Sequence, residues 1–467
     1  MEFSVGLELK EKEIITLVGA GGKTSALICI ARELAARGKR VIATTTTKML
    51  LSQLRELAEP VVCPQVPELL DQVKEKLKKS NLVTCGSRII EGEKVVGPSL
   101  EAVSQLACLP VDYMLIEGDG AKGAGLKVPA AHEPVIPRES TLVITVMGLK
   151  VLGKPLEEPW VHRAELIPEL WSKEELPSKV TVPLAATLLG HPLGGKKGVP
   201  EGARWVVLLN QAEEIKEQEA GRLLAEDLFK YGPERVILGA VKFKAPVRQV
   251  LFPAASFPTN LGIIVLAAGE ARRFGSTKQL LPVGELTMVQ QVASTAVRSR
   301  VGEVVVVLGH RAEEIAPLLK GYPVHLSFNP SWQEGMSTSL KAGFLGLSPR
   351  ARAALVLLAD QPGVTYSVLQ LLAKAYSETG KKIVVPYYQG RRGNPVLLDR
   401  SLWEEIFFLE GDKGARDLLS RYPEEVLSVE VDCAGVVEDI DTPEDYIRWL
   451  KRKPERECTW ATGDTLY

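Results

Sequence analysis

The chain has 467 residues, too many for one hydrophobic core and enough for two or three domains. Its apolar fraction of 45% and charged fraction of 25% suit a globular protein, and a formal net charge of −1 excludes a global field that would draw in nucleic acid or an anionic membrane. Six scattered cysteines without ligand spacing, no basic-then-apolar leader in MEFSVGLELKEKE and no apolar run near the ~18 residues of a spanning helix make a cytoplasmic, reduced, membrane-free protein the expectation.

In chain order, EIITLVG (Glu13–Gly19) reads as a buried strand. It feeds GAGGKT (Gly19–Thr24), and a helical pattern follows from Ser25 to Arg37 with Leu27, Ile30, Ala31 and Leu34 on one face. Gly38 stops that helix and Arg40–Ala43 starts a second strand. A Gly-rich turn between strand and helix is a phosphate cradle. Gly19, Gly21 and Gly22 would let backbone N–H groups close on phosphate, Lys23 would reach the β/γ-phosphates, and the Thr24 hydroxyl would meet Mg²⁺. The spacing is shorter than G-x-x-x-x-G-K-[ST], so a structural glycine turn with a surface lysine stays open as the plainer alternative.

Thr44–Thr47 and Lys48 end the second strand, and Thr45 is placed to reach metal or phosphate, although a threonine run also simply suits a strand. Val111–Ile116 is apolar and runs into Glu117-Gly-Asp119-Gly120. A carboxylate at the end of a buried strand is where a Walker-B-type acid holds Mg²⁺, so Glu117 and Asp119 join the expected nucleotide site. Trp205–Leu209 is a further strand ending in Asn210-Gln211-Ala212-Glu213, a weak likeness to the guanine-reading N-K-x-D.

Between Lys242 and Asn260 the sequence carries three prolines and no sustained period. The domain limits drawn from this are 1–245, a linker at 246–260, 261–453, and a polar tail at 454–467.

The second half opens on LGIIVLAAGEARRFGSTKQLLP. Ile263–Leu266 is a buried strand, and Ala267, Ala268, Gly269, Arg272, Arg273, Gly275 and Lys278 form a loop of small residues and cations. Arg273 and Lys278 supply the positive charge a triphosphate needs. Helix Val289–Arg300, strand Glu303–Leu308, a helix through Leu340 and Ala342, and strands Leu355–Leu358 and Ile383–Pro386 follow. This alternation predicts a parallel sheet with its site at the strands' carboxyl ends. Asp360 follows a buried strand and is expected to bind a cation, the plainer reading being a helix N-cap. Asp439 and Asp441 alternate on an extended segment, share a face, and would complete a Mg²⁺ site with Asp360.

These motifs carry two resemblances. GAGGKTS, TTTTKM, EGDGAKG, HEPVIP (His132–Pro137) and VHRAE (Val161–Glu165) resemble the YqeC-like selenium-dependent hydroxylase accessory family over roughly residues 1–245. Gly118 stands where that family commonly has Ala, and His132 and His162 are read as hydrogen-bonding rather than metal-ligating. LAAGEARRFGSTKQLLP, NPSWQEGMSTSLKAG, ADQP, GRRGNPV, GDKGAR and DIDTPEDY are similar to the MobA/MocA-like molybdenum cofactor cytidylyltransferases. Here Ala271 replaces the usual loop Ser, and Asn394 stands where His is frequent.

The resemblances imply two Rossmann-like parallel-sheet α/β domains: a P-loop-like nucleotide-binding domain, then a nucleotidyltransferase domain. They imply transfer of CMP from CTP to molybdopterin with loss of pyrophosphate, for maturation of molybdenum hydroxylases. Arg273, Lys278 and Asp360 would be catalytic, and Asp360, Asp439 and Asp441 would hold Mg²⁺. Leu266, Ala267, Ala268, Gly269, Gly275, Lys278, Asn329 and Gly335 would bind the nucleotide. An apo molybdenum hydroxylase is the implied protein partner. The competing readings are a sugar-phosphate nucleotidyltransferase and a non-catalytic carrier that inserts the cofactor.

Overall fold

The computed structural model describes residues 1–172, 175–253, 260–270, 274, 277–412 and 414–451, with 415–417 by backbone alone. It divides into two compact units: Met1–Ser256 with Pro323–Pro330 and Ala342–Ala351, and Phe257–Tyr322 with Ser331–Lys341 and Arg352–Tyr467.

In the first unit, β1 (Glu13–Gly19) is flanked on both sides by parallel partners. Ile15, Thr16, Leu17 and Val18 are therefore all buried, as a doubly covered strand demands. β1 is followed by α1 (Lys23–Ala36), β2 (Val41–Thr45), β3 (Leu82–Gly86), α2 (Leu100–Ala107, capped by Ser99) and β4 (Tyr113–Glu117). Then come β5 (Leu142–Gly148), α3 (Val182–Gly190), β6 (Arg204–Asn210), α4 (Ile215–Leu228) and β7 (Arg235–Gly239). The parallel order is β3-β2-β4-β1-β5-β6-β7. α3 and α4 pack Leu184, Leu188, Leu224 and Leu228 into one apolar cluster with Val207 and Leu209 of β6.

Where the sequence predicts a linker at 246–260, Val247–Leu251 forms a further strand, β8, antiparallel to β7. Its Val247, Val250 and Leu251 are buried, which outweighs the flanking prolines. The strand His325–Phe328 pairs antiparallel with β8 in the same unit.

The second unit has β9 (Leu261–Ala267), α5 (Met288–Ser299), β10 (Glu303–Leu308), the first half of α6 (Met336–Gly346), β11 (Ala353–Leu358) and α7 (Tyr366–Thr379). β12 (Ile383–Tyr388), β13 (Val396–Asp399), β14 (Val426–Glu430) and α8 (Pro443–Leu450) complete it. β10-β9-β11 are parallel, but β11–β13 and β13–β12 are antiparallel, and β12–β14 is parallel again. The all-parallel expectation is thus corrected to a parallel-dominated mixed sheet. The short connection from Tyr388 to Val396 cannot carry the dozen-residue crossover that a parallel partner requires. Among the described residues no helix is long and apolar enough to cross a membrane.

Candidate functional site

At the carboxyl end of β1 the chain turns through glycines that nothing larger could replace. Gly21 has φ +76°, and a Cβ there would lie 2.0 Å from the Gly148 nitrogen. Gly22 has φ +116° and forms the N-cap of α1 without a side-chain cap. The first N–H groups of α1 therefore lack the side-chain acceptor that usually takes one of them. The turn is braced from outside: Gly21 N–H donates to Ala124 O at 2.9 Å, and Asn210 Nδ2 donates to Gly21 O at 2.8 Å. Asn210, whose motif has a weak likeness to a base reader, thus holds the loop backbone.

The predicted polar residues of this half converge on that turn. Thr24 Oγ1 donates to Glu117 Oε2 at 2.7 Å, and Thr45 Oγ1 donates to the Glu117 carbonyl at 2.8 Å. Lys23 Nζ donates to Gly19 O at 2.6 Å and lies 3.2 Å from Asp119 Oδ1. Asp119 accepts from Gly19 N–H and pairs at 3.0 Å with Lys127. Lys127 pairs at 2.6 Å with Glu133, which in turn pairs with Arg163. Burial lifts the Glu117 carboxyl above its ordinary range, against the pull of Lys23 and Thr24. Burial also acts on Glu133, but its bonds from Arg163 and Lys127 prevail and take it down to about 2.

Lys127, Glu133 and Arg163 were not singled out from sequence. Glu133 and Arg163 lie in the motifs HEPVIP and VHRAE, and Lys127 lies four residues past EGDGAKG, so the nearness of these motifs is the one signal the sequence offers. His162 hydrogen-bonds Glu158 at 2.9 Å, and His132 is exposed.

In the second unit the parallel strands β10, β9 and β11 bring three chain segments to one edge. Ala268 O accepts from His310 N–H at 3.0 Å, and Leu266 O accepts from Ala359 N–H at 3.1 Å. Gly269 O accepts from Gln279 Nε2 at 2.9 Å. Ala267 and Ala268 are buried, so a larger side chain at either position would have to displace packed neighbours. Lys278, on a 3₁₀ turn from Lys278 to Leu280, donates to Asp360 Oδ2 at 2.6 Å and to Asp441 Oδ1 at 2.8 Å. Ile440 N–H donates to the Asp360 carbonyl at 2.9 Å, docking the extended 439–441 segment on the end of β11. Gln361 Nε2 donates to Asp439 Oδ1 at 2.6 Å.

Arg273 and Gly275 lie outside the described residues. Gly335 has φ +115°, and a Cβ there would lie 2.3 Å from the Gly411 carbonyl carbon. Asn329 is buried and belongs to the segment grouped with the first unit, whereas Gly335 belongs to the second. His310 and Trp332 meet edge to face, ring centroids 5.0 Å apart.

Burial opposes the Lys278 charge, yet the Asp360 and Asp441 carboxylates overcome it and hold the ammonium above the usual lysine value. Burial, with Asp360 next, pushes the Asp439 carboxyl above the usual carboxylate range. Among the described residues no three His, Cys, Asp or Glu side chains are drawn together around one point as metal ligands. Asp360 and Asp441 instead share the Lys278 ammonium, while Asp439 accepts from Gln361. The donor set still suits a hard divalent cation, because Asp360 Oδ1 is buried with no hydrogen-bond partner and Asp439 is crowded by like charge. Gln361 Oε1 and Gln279 Oε1 are likewise buried and unpartnered, and sequence reasoning attached no role to either.

Comparison with known proteins finds one family in each half of the chain. The YqeC protein family matches residues 15–165, and the MobA-like NTP transferase domain matches residues 263–426. The chain is 35% identical over 236 residues to the uncharacterized protein YqeC of Escherichia coli strain K12, covering 50% of this chain and 89% of that protein. It is 31% identical over 199 residues to nicotine blue oxidoreductase of Paenarthrobacter nicotinovorans, covering 40% and 95%. It is 24% identical over 193 residues to the molybdenum cofactor cytidylyltransferase of Escherichia coli strain K12, covering 41% and 96%.

Proposed function

Because the chain belongs to the YqeC family through its N-terminal half and carries a MobA-like NTP transferase domain in its C-terminal half, we propose that it matures a molybdenum cofactor by cytidylyl transfer. A terminal phosphate oxygen of molybdopterin attacks the α-phosphorus of CTP. The new P–O bond forms as the bond to the β-phosphate oxygen breaks, and pyrophosphate leaves with that electron pair.

The observation that carries this reading is the meeting of Lys278, Asp360 and Asp441 at the ends of β9 and β11. Phosphoryl chemistry of this kind needs positioning and charge neutralisation more than covalent help. Lys278, with Arg273, binds the triphosphate and stabilises the departing pyrophosphate. Backbone groups of Ala267–Gly269 hold the nucleoside, and Gly335 holds the turn before α6 on the same unit. Asp360, Asp439 and Asp441 would hold Mg²⁺, which when bound neutralises phosphate oxygens and polarises the α-phosphorus. Gln361 fixes the Asp439 carboxylate in its place.

The N-terminal half binds a nucleotide at Gly19–Thr24, with Glu117 and Thr24 as the Mg²⁺-side pair and Lys23 on the phosphates. An apo molybdenum hydroxylase is the recipient of the finished cofactor. The deciding experiment is pyrophosphate release by the full chain with Mg²⁺ and molybdenum-loaded molybdopterin, comparing CTP, GTP and ATP. Release with CTP above the others, lost in Asp360→Ala, is expected; binding without release would overturn the reading. A relative named as an oxidoreductase shares the domain, so release rather than binding is the readout.

A further inference from the structure

We propose that Lys278 and a divalent cation compete for the Asp360–Asp441 carboxylates, so that the free chain keeps its phosphate-binding ammonium tethered until a cation displaces it. The inference rests on the reading of this edge as a triphosphate site and adds to it the order in which the charges must move.

The geometry separates fixed parts from a movable one. The backbone around Lys278 is held on both sides: Leu280 N–H donates to Thr277 O, Leu281 N–H donates to Lys278 O, and Arg311 Nη1 donates to Thr277 Oγ1 at 2.9 Å. The backbone that carries the carboxylates is held as well, at Asp360 through Ile440 N–H on its carbonyl and at the 441–442 turn through the Asp445 carboxylate on Thr442 N–H at 3.0 Å. What remains free to swing is the four-carbon lysine stem.

Its ammonium spends two of its three protons on Asp360 Oδ2 and Asp441 Oδ1, at 2.6 and 2.8 Å. Those two oxygens face one small volume, and a cation bound there repels an ammonium a few ångströms away. Asp360 Oδ1, buried and unpartnered, is the oxygen of that carboxylate that Lys278 leaves unused. A cation engaging it and Asp441 gains what the lysine gives up, and the lysine then turns to the phosphates. A triphosphate arriving without a cation must break both charge-assisted bonds itself. Cation and triphosphate are therefore coupled through Lys278 in addition to any direct bond between them.

The test reads binding, with no turnover. Mn²⁺ is titrated into the full chain without nucleotide and followed by the electron spin resonance of the free ion. The relevant site is the one lost in Asp360→Asn. Lys278→Met and, as a second variant, Lys278→Gln are expected to tighten that site about tenfold or more, a coupling of ordinary size. Lys278→Arg, which keeps the competing charge, should stay near the wild type. In the reciprocal arm, tripolyphosphate in EDTA should bind Asp441→Asn several-fold tighter than the wild type.

Unchanged or weaker Mn²⁺ binding in both Lys278→Met and Lys278→Gln would overturn the proposal, as would the absence of any Asp360-dependent Mn²⁺ site. Pyrophosphate release by the wild type keeps the two readings apart. Tightening without release leaves the competition standing and removes the transferase, and release without tightening does the reverse.

Discussion

The Thr24 hydroxyl lies 2.7 Å from Glu117 Oε2, joining the first turn of α1 to the end of β4. A hydroxyl and a carboxylate at this separation are the two protein ligands that a nucleotide-bound Mg²⁺ would take between them. Glu117→Gln removes the charge while keeping the size. Mg²⁺-nucleotide binding at this half should then weaken about tenfold, roughly 1.4 kcal/mol, whereas binding in EDTA should hardly change. Calorimetry in a Lys278→Ala, Asp360→Ala background, which removes both the phosphate and the cation contacts of the other site, makes the comparison. Equal losses with and without Mg²⁺ would remove Glu117 from the cation side.

Gly21→Ala tests whether the N-terminal turn is a rigid cradle. The new Cβ would sit 2.0 Å from the Gly148 nitrogen at φ +76°, so both the turn and the end of β5 must shift. The cost should exceed about 2 kcal/mol, the sum of left-handed strain and a backbone clash. Differential scanning calorimetry should show the loss, and nucleotide binding by the N-terminal half should fall with it. Pyrophosphate release should persist, because the transfer chemistry is assigned to residues of the other half.

Much of this was legible in the sequence where the signal is local. EIITLVG and EVVVVL become β1 and β10 with the expected limits, because unbroken apolar runs have no other stable place than a doubly covered strand. Lys278, Asp360 and Asp441 were picked out singly from motif and strand end. That one ammonium bridges two carboxylates, one of them 163 residues away, is tertiary information that no spacing encodes. The same holds for Lys127, Glu133 and Arg163, each an ordinary surface-type residue until the fold pairs it. The flanking Pro246 and Pro253 read as linker and hide β8, although the strand Val247–Leu251 between them buries three apolar side chains.

Gly335→Ala probes the nucleoside side of the transferase half. At φ +115° an alanine is strained, and its Cβ would lie 2.3 Å from the Gly411 carbonyl carbon. The loop before α6 must then move away from Gly411–Asp412, where Ser337 N–H now donates to Gly411 O at 3.0 Å. A misplacement of about 1 Å near reacting groups costs on the order of 10²-fold. kcat/KM for pyrophosphate release should fall by that order, with a smaller change in unfolding temperature than Gly21→Ala produces. An unchanged kcat/KM would detach this loop from the nucleotide.

Glu133 supplies a pH dependence whose sign is fixed by its partners. Lys127 and Arg163 hold its folded carboxyl at about 2, below the ordinary 4.5. A depressed folded value means that the charged form stabilises the fold. That stability is fully present above about pH 4.5 and is lost as the pH falls toward 2. Part of the cluster faces water, so the contribution should be about 1–2 kcal/mol rather than the full value of the shift. Glu133→Gln leaves two cations without their shared anion and should unfold at lower temperature than the wild type at pH 7. The gap between the two melting temperatures should close as the pH drops through the window from 4.5 to 2. A gap that stays constant across that window would mean that Glu133 acts through packing and not through its charge.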